Sequence, residues 1–92
     1  MFKITGHRGF QVTFKNGWTV SVQFGGGHYC DNYDVEIGSE KYIDMLTSGN
    51  AEVAAWDKDD KWYVFDNHDT VWGRVEPDEL LKFMKKIAKR GK

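Results

Sequence analysis

The residues with the widest chemical repertoire lie near positions 28–34 and around position 68. His28, Cys30, Asp31 and Asp34 all carry atoms that bind metal ions. Structural zinc sites, however, draw paired Cys or His ligands from two separate places, and this chain has a single Cys. The sequence therefore predicts no metal site and no cofactor.

Acid–base and nucleophilic chemistry has equally few candidates. His68 lies between Asp66 and Asp69, where a carboxylate neighbour would raise its basicity and suit it to proton transfer. Cys30 would need His28 or His68 as a base and a third group to orient that base, and no motif supplies one. The residue types around His68 more often form hydrogen bonds with the backbone when they lie in a turn. We expect no catalytic residue and no enzymatic activity.

Two other segments have a functional and a plain interpretation. Gly25–Gly27 would let a backbone approach a phosphate, but the helix start and the Lys-Ser/Thr pair of a phosphate loop do not follow. The basic tail over residues 85–92 would suit nucleic acid, yet bases at a helix C-terminus also favour the helix dipole. A flexible turn and a solvated helix face are the preferred interpretations.

The distribution of charge is the most informative feature of the composition. The formal net charge is −1, and all 14 acidic residues follow residue 30. Residues 1–30 carry three bases, residues 31–79 carry the 14 acids and four bases, and residues 80–92 carry six bases. An acidic middle segment repels nucleic acid and attracts a basic protein surface. We therefore expect a protein partner and no direct contact with nucleic acid.

The elements that must position these residues begin with a β-hairpin. Apolar and polar residues alternate over 10–15 and again over 18–24, with Asn16-Gly17 between the two runs. A period of two places the seven apolar side chains on one face, and Asn-Gly readily adopts a type I′ turn. Residues 25–50 then predict a long irregular loop, in which one helical turn or an edge strand over residues 41–46 is an open alternative.

A meander and a helix complete the predicted fold. Apolar runs at 53–56, 62–65 and 70–75 are separated by Asp-rich turns and predict three strands. Pro77 follows Glu76 and opens an amphipathic helix with acids in its first turn and bases near its end. Its apolar stripe comprises Leu80, Leu81, Met84, Ile87 and Ala88.

Together these elements predict one α+β domain over residues 1–92, in which an antiparallel sheet of about five strands packs on one C-terminal helix. The lone Cys, and the lack of a signal peptide or a bilayer-length apolar run, favour a cytoplasmic protein. An open edge of the sheet would also allow a homodimer.

Part of the sequence resembles a known family. The segments GFQVTFKNGWTVSVQFG at 9–25 and YCDN at 29–32, followed by AEVAAWD at 51–57 and WYVFD at 62–66, resemble a family of small, mostly uncharacterised bacteriophage accessory proteins. The resemblance implies a protein made in an infected bacterium, from a group rich in inhibitors of host enzymes and of defence systems, such as anti-CRISPR and anti-restriction proteins.

We therefore expect a non-enzymatic inhibitor that binds a host or defence protein, with acidic side chains that imitate the charge of a nucleic acid. An alternative is a small-ligand or nucleotide-binding module whose pocket is built from glycines and aromatic residues. The residues predicted to contact a partner are Tyr29, Asp31, Tyr33, Asp34, Glu36, Asp57, Asp59, Asp60 and Trp72.

Overall fold

The computed structural model describes residues 1–6, 8–25, 28–32 and 47–91. The elements are β1 (Phe2–Ile4), β2 (Gly9–Thr13), β3 (Thr19–Gln23), β4 (Ala51–Trp56), β5 (Trp72–Val75) and α1 (Pro77–Ala88). The five strands form one antiparallel sheet in the order of the chain, and the helix follows the last strand. The predicted α+β class, with about five strands and one C-terminal helix, is confirmed.

The N-terminal hairpin is β2 and β3, paired from Gly9↔Gln23 to Thr13↔Thr19. Its apolar residues enter or border the core as the alternation predicts. The predicted type I′ turn is wrong: Gly17 has φ 91°, whereas Asn16 is not among the described residues with positive φ. Phe14 instead exchanges backbone bonds with Trp18 and Gly17 across a three-residue loop.

The side chain of Asn16 gives a physical reason for this geometry. Its Nδ2 donates to the carbonyls of Ile87 and Arg90, at 2.8 and 2.9 Å, and its Oδ1 accepts the N–H of Trp18 at 3.0 Å. The carbonyls at a helix C-terminus have no partners within the helix. The hairpin loop therefore caps α1 and fixes the helix against the sheet.

The second half of the sheet differs from the predicted three-strand meander. Only β4 and β5 are strands there, and residues 62–65 join β4 through one bridge, Trp56↔Trp62, and the bond from the N–H of Tyr63 to the carbonyl of Ala55. The fifth strand is β1, which the sequence did not indicate. It pairs with β2 through three residue pairs.

The core lies between the sheet and one side of α1. Its buried members include Val20, Val22 and Val53 from the sheet and Phe83 and Ile87 from the helix. Leu81, predicted to be in the apolar stripe, is 56% exposed, and Phe83 occupies the core instead. The helix begins at Pro77 with a reciprocal pair of bonds between Glu76 and Glu79. Over the described part of the chain, no helix is long and apolar enough to cross a bilayer.

The loop predicted for residues 25–50 lies mostly outside the described residues. Its described parts are 25, 28–32 and 47–50. Residues 28–32 pack beside the start of β4 and the end of β5, where the N–H of Arg74 donates to the carbonyl of Tyr29 at 2.9 Å. Gly73 is needed at this contact, because a Cβ there would lie 2.9 Å from the Cβ of Tyr29.

Candidate functional site

The connection from β4 to β5, residues 57–71, projects two tight turns with a short extended stretch between them. We call it the acidic connection, because it holds five acids and two bases. Its acids are Asp57, Asp59, Asp60, Asp66 and Asp69. Three of the nine residues predicted to contact a partner, Asp57, Asp59 and Asp60, lie in its first turn.

The first turn, 57–61, is held by hydrogen bonds to the backbone and the side chain of Asp57. The N–H of Asp57 bonds to the carbonyl of Lys61 at 2.9 Å, and Oδ1 of Asp57 accepts the N–H groups of Asp59 and Lys61 at 2.8 and 2.9 Å. Asp60 adopts φ 63°, which Asp tolerates better than most residues. Asp57 therefore builds the turn, while Asp59 and Asp60 are exposed.

The electrostatics of Asp57 follow from these bonds. The N–H of Lys61 is the largest cause that lowers the pKa of the Asp57 carboxyl, and the N–H of Asp59 and the charges of Lys61 and Lys58 act in the same direction. The carboxylate is thus kept ionised at the surface, where it orders the backbone that presents its two neighbours.

The second turn, 65–69, repeats this backbone pattern. The N–H of Phe65 bonds to the carbonyl of Asp69 at 2.8 Å, and Oδ1 of Asn67 accepts the N–H of Asp69 at 2.9 Å. His68, the candidate proton-transfer residue, has φ 64° and is exposed in the turn. Its backbone conformation serves the chain reversal, and Cys30, the candidate nucleophile, is buried.

Between the two turns, side chains alternate in direction. Tyr63 and Phe65 are half-buried and face the helix, whereas Trp62 and Val64 are 47% and 59% exposed. Trp62 also stacks on Trp56 with ring centroids 4.8 Å apart, so its exposed surface has a fixed support. An apolar pair thus lies in the middle of the acidic connection, with an Asp-bearing turn at each end.

Trp72, the tryptophan predicted to contact a partner, lies on the other side of this segment. It is half-buried and packs with Phe65 and Phe83 at centroid distances of 5.6 and 6.0 Å. Trp62 was not among the predicted contact residues. Residues 62–65 are all apolar, so no alternation between the two Asp-rich turns indicated which of them would be exposed.

Trp72 does line a groove between the acidic connection and α1. This groove has a volume of about 540 Å³, and its aromatic wall is formed by Tyr63, Phe65, Trp72 and Phe83. Lys82 and Lys86 flank it from the helix, and Nζ of Lys86 donates to the hydroxyl of Tyr63 at 2.9 Å. The carboxylates of Asp66 and Glu79 also line the groove, so its aromatic faces suit a planar ligand with polar groups at its edge.

Tyr29 and Asp31 lie at the opposite end of β4 from the first turn. Both oxygens of Asp31 are engaged: Oδ1 accepts from Asn50 and Arg74 at 3.0 and 3.3 Å, and Oδ2 accepts the N–H of Gly49 at 3.3 Å. Tyr29 is 57% exposed. Since β4 has six residues, about 17 Å separates this group from the acidic connection. The predicted contact residues that the structure describes therefore do not form one patch.

The remaining candidates have structural partners or fall outside the described residues. Cys30 is fully buried with its Sγ 3.6 Å from the carbonyl of Gly25, and His28 pairs with Glu52 through a 2.9 Å contact. The described residues contain no group of three or more His, Cys, Asp or Glu that could hold a metal ion. Tyr33, Asp34 and Glu36 lie outside the described residues.

Comparison with protein-family models, with curated proteins and with solved structures finds no significant match to the chain.

Proposed function

We propose that this chain is a non-enzymatic binding protein that docks a basic surface of a partner protein onto the acidic connection. The observation that carries the proposal is the exposed pair Trp62 and Val64 between two Asp-bearing turns. An apolar centre with a charged rim is the usual anatomy of a protein interface.

The apolar centre favours binding because its side chains and the flanking turns are already ordered before a partner binds. Trp62 rests on Trp56, and both flanking turns are closed by backbone bonds that the Asp57 and Asn67 side chains reinforce. Trp is among the residues that most often dominate binding energy, and preorganisation reduces the entropic cost of association.

The exposed acids supply negative charge to the rim, and Lys61 and Arg90 lie beside Trp62 and Val64. The acidic connection carries five acids against two bases, and Asp59, Asp60 and Asp66 are exposed on it. Such a rim speeds encounter with a basic partner and makes binding sensitive to salt, because the Debye length falls from ~10 Å at 0.1 M to ~3 Å at 1 M. This is the surface on which imitation of a nucleic acid would operate.

The resemblance to bacteriophage accessory proteins supports the choice of partner. It points to a host or defence protein in the cytoplasm of an infected bacterium, and to inhibition as the outcome. A defence protein that binds nucleic acid offers the Arg- and Lys-rich surface that the acidic connection complements.

The experiment is an affinity capture from the bacterial host with a C-terminal tag, at 0.1 M and at 1 M salt. We expect one protein to be retained at low salt and lost at high salt. Trp62→Ala should abolish its capture, whereas Leu81→Ala, which truncates another exposed apolar side chain, on the helix, should not.

The charge of the rim is tested with substitutions that keep the turn intact. Asp59→Asn and Asp60→Asn together should weaken capture about tenfold, while Asp78→Asn on the helix should leave it unchanged. Asn tolerates the backbone conformation of Asp60. Capture that is equal for Trp62→Ala and the unsubstituted protein would reject the proposed surface.

The aromatic groove supports a second candidate function, a small-ligand or nucleotide-binding module. Its four rings would stack on a planar ligand, and Lys82 and Lys86, with Asp66 and Glu79 beside them, would bind polar groups at the edge of that ligand. Absorbance near 260 nm in the purified protein, or quenching of Trp fluorescence by an added nucleoside monophosphate, would favour it. Loss of that quenching in Lys82→Ala would assign the ligand to the groove.

A further inference from the structure

The outer edge of β1 presents free backbone groups in a regular pattern. Met1 and Thr13 exchange both backbone bonds at 2.8 Å, and the N–H of Thr5 donates to the carbonyl of Gly9 at 3.0 Å. In an antiparallel pair, bonded and non-bonded residue pairs alternate. The N–H and C=O groups of Phe2 and Ile4 therefore point away from β2, and no strand in the described part of the chain pairs with them.

The side chains of this edge are unusually apolar for an exposed strand. Met1, Phe2 and Ile4 are 82%, 77% and 81% exposed. Phe2 and Ile4 are in register with Val12 and Phe10, and so lie on the face of the sheet that packs against α1. A helix ~10 Å across cannot cover five strands spaced ~4.8 Å apart, so this edge extends beyond the helix.

The charge around the edge selects the kind of partner. Lys3 lies between Phe2 and Ile4 on the opposite face of the sheet, paired with Gln11. Residues 1–30 contain three bases and no acid. An added strand places a residue directly opposite Lys3 in a non-bonded pair, where side chains approach most closely.

We propose that β1 binds an extended segment of a partner protein, which adds a sixth strand and places an acidic residue opposite Lys3 between two apolar residues. Backbone bonds to Phe2 and Ile4 supply the affinity, and the alternating side chains supply the selectivity. A second copy of this chain fits the edge less well. Antiparallel pairing of two β1 strands would set Lys3 against Lys3 over only three residues per chain.

The β1 edge and the acidic connection are separate surfaces. β1 forms one edge of the sheet, and the acidic connection joins β4 to β5 at the other. The edge of β1 selects an acidic strand, whereas the acidic connection selects a basic surface. If one proposal fails, the other still stands, and Trp62→Ala should have no effect on binding at β1.

The test uses two capped nine-residue peptides that differ in one residue, with the cores Val-Glu-Val and Val-Lys-Val, titrated into the ¹⁵N-labelled full chain. We expect the amide signals of Phe2 and Ile4 to shift and to gain protection from exchange. The Glu peptide should bind about threefold to tenfold more tightly than the Lys peptide. Lys3→Glu should reverse that preference, and Lys15→Glu, which changes an exposed base in the hairpin loop, should not.

A second variant tests the contribution of the backbone hydrogen bonds to peptide binding. Ile4→Pro removes the outward N–H without removing a bond to β2, so it should abolish peptide binding while the far-UV spectrum and unfolding midpoint stay close to those of the unsubstituted protein. Unshifted Phe2 and Ile4 amides at millimolar peptide, or equal affinity for the two peptides, would overturn the proposal. A concentration-dependent dimer that protects the same amides without peptide would overturn it in favour of a second copy.

Discussion

Replacing Asn16 tests whether the hairpin loop holds the helix in place. Asn16→Ala removes two donors to the carbonyls of Ile87 and Arg90 and one acceptor for the N–H of Trp18. A hydrogen bond contributes about 0.5–1.5 kcal/mol net, and water can reach part of this site, so we expect a loss of about 2 kcal/mol. For a domain of this size, that lowers the unfolding midpoint by about 10 °C.

Asn16→Asp distinguishes the effect of the two donated hydrogen bonds from that of the accepted one. It keeps an oxygen for Trp18 but places a negative charge beside the carbonyls at the end of α1, where the helix dipole disfavours it. We therefore expect Asn16→Asp to destabilise at least as much as Asn16→Ala.

The assay is thermal unfolding followed by circular dichroism, with Asn67→Ala as the matched control. Asn67 occupies the corresponding position of the 65–69 turn, but its side chain accepts one backbone bond and caps no helix among the described residues. Its loss should cost less than about 1 kcal/mol. If Asn16→Asp unfolds at the midpoint of the unsubstituted protein, the capping argument is wrong.

Three further predictions concern the rest of the described structure. Gly73→Ala should lower stability by about 1–3 kcal/mol in urea unfolding, because its methyl group would overlap Tyr29, and an unchanged midpoint would contradict the contact. The pKa of the Asp57 carboxyl is lower in the folded state than its ordinary value of 3.8. Its contribution to stability is therefore present at pH values above 3.8 and is lost as the pH falls through the pKa of the folded state. Asp57→Asn should therefore flatten the fall in stability between pH 7 and pH 2, and parallel pH curves for the two proteins would disagree. Cys30 is fully buried, and a thiol reagent should label it at least about 100-fold more slowly in buffer than in denaturant. Equal labelling rates would place the thiol at the surface.

Much of the fold could be predicted because its signals are local. Alternation on both sides of Asn16-Gly17 specifies the hairpin, and Glu76-Pro77 with acids and then bases specifies the helix start and its direction. β1 was missed because three residues are too few to show a periodic pattern, and it becomes a strand only by pairing with β2.

The candidate binding surface could be predicted only in part. Clustered acids and turn residues predicted the 57–61 turn. They did not indicate that the carboxylate of Asp57 would bond to the backbone while Asp59 and Asp60 remain exposed. Asp31 was expected to contact a partner, and its bonds to Asn50, Gly49 and Arg74 involve residues 18 or more positions away. Nothing local in the sequence encodes such distant bonds.

The sequence by itself determined an antiparallel sheet, a terminal helix and the concentration of acids after residue 30, because periodicity, turn chemistry and charge are properties of short segments. Only the tertiary structure decided that Trp62 is exposed and Trp72 faces the helix, and that Phe2 and Ile4 lie beyond the reach of α1. A strand with alternating side chains has two faces, and the packing of the helix against one of them determines which residues meet solvent.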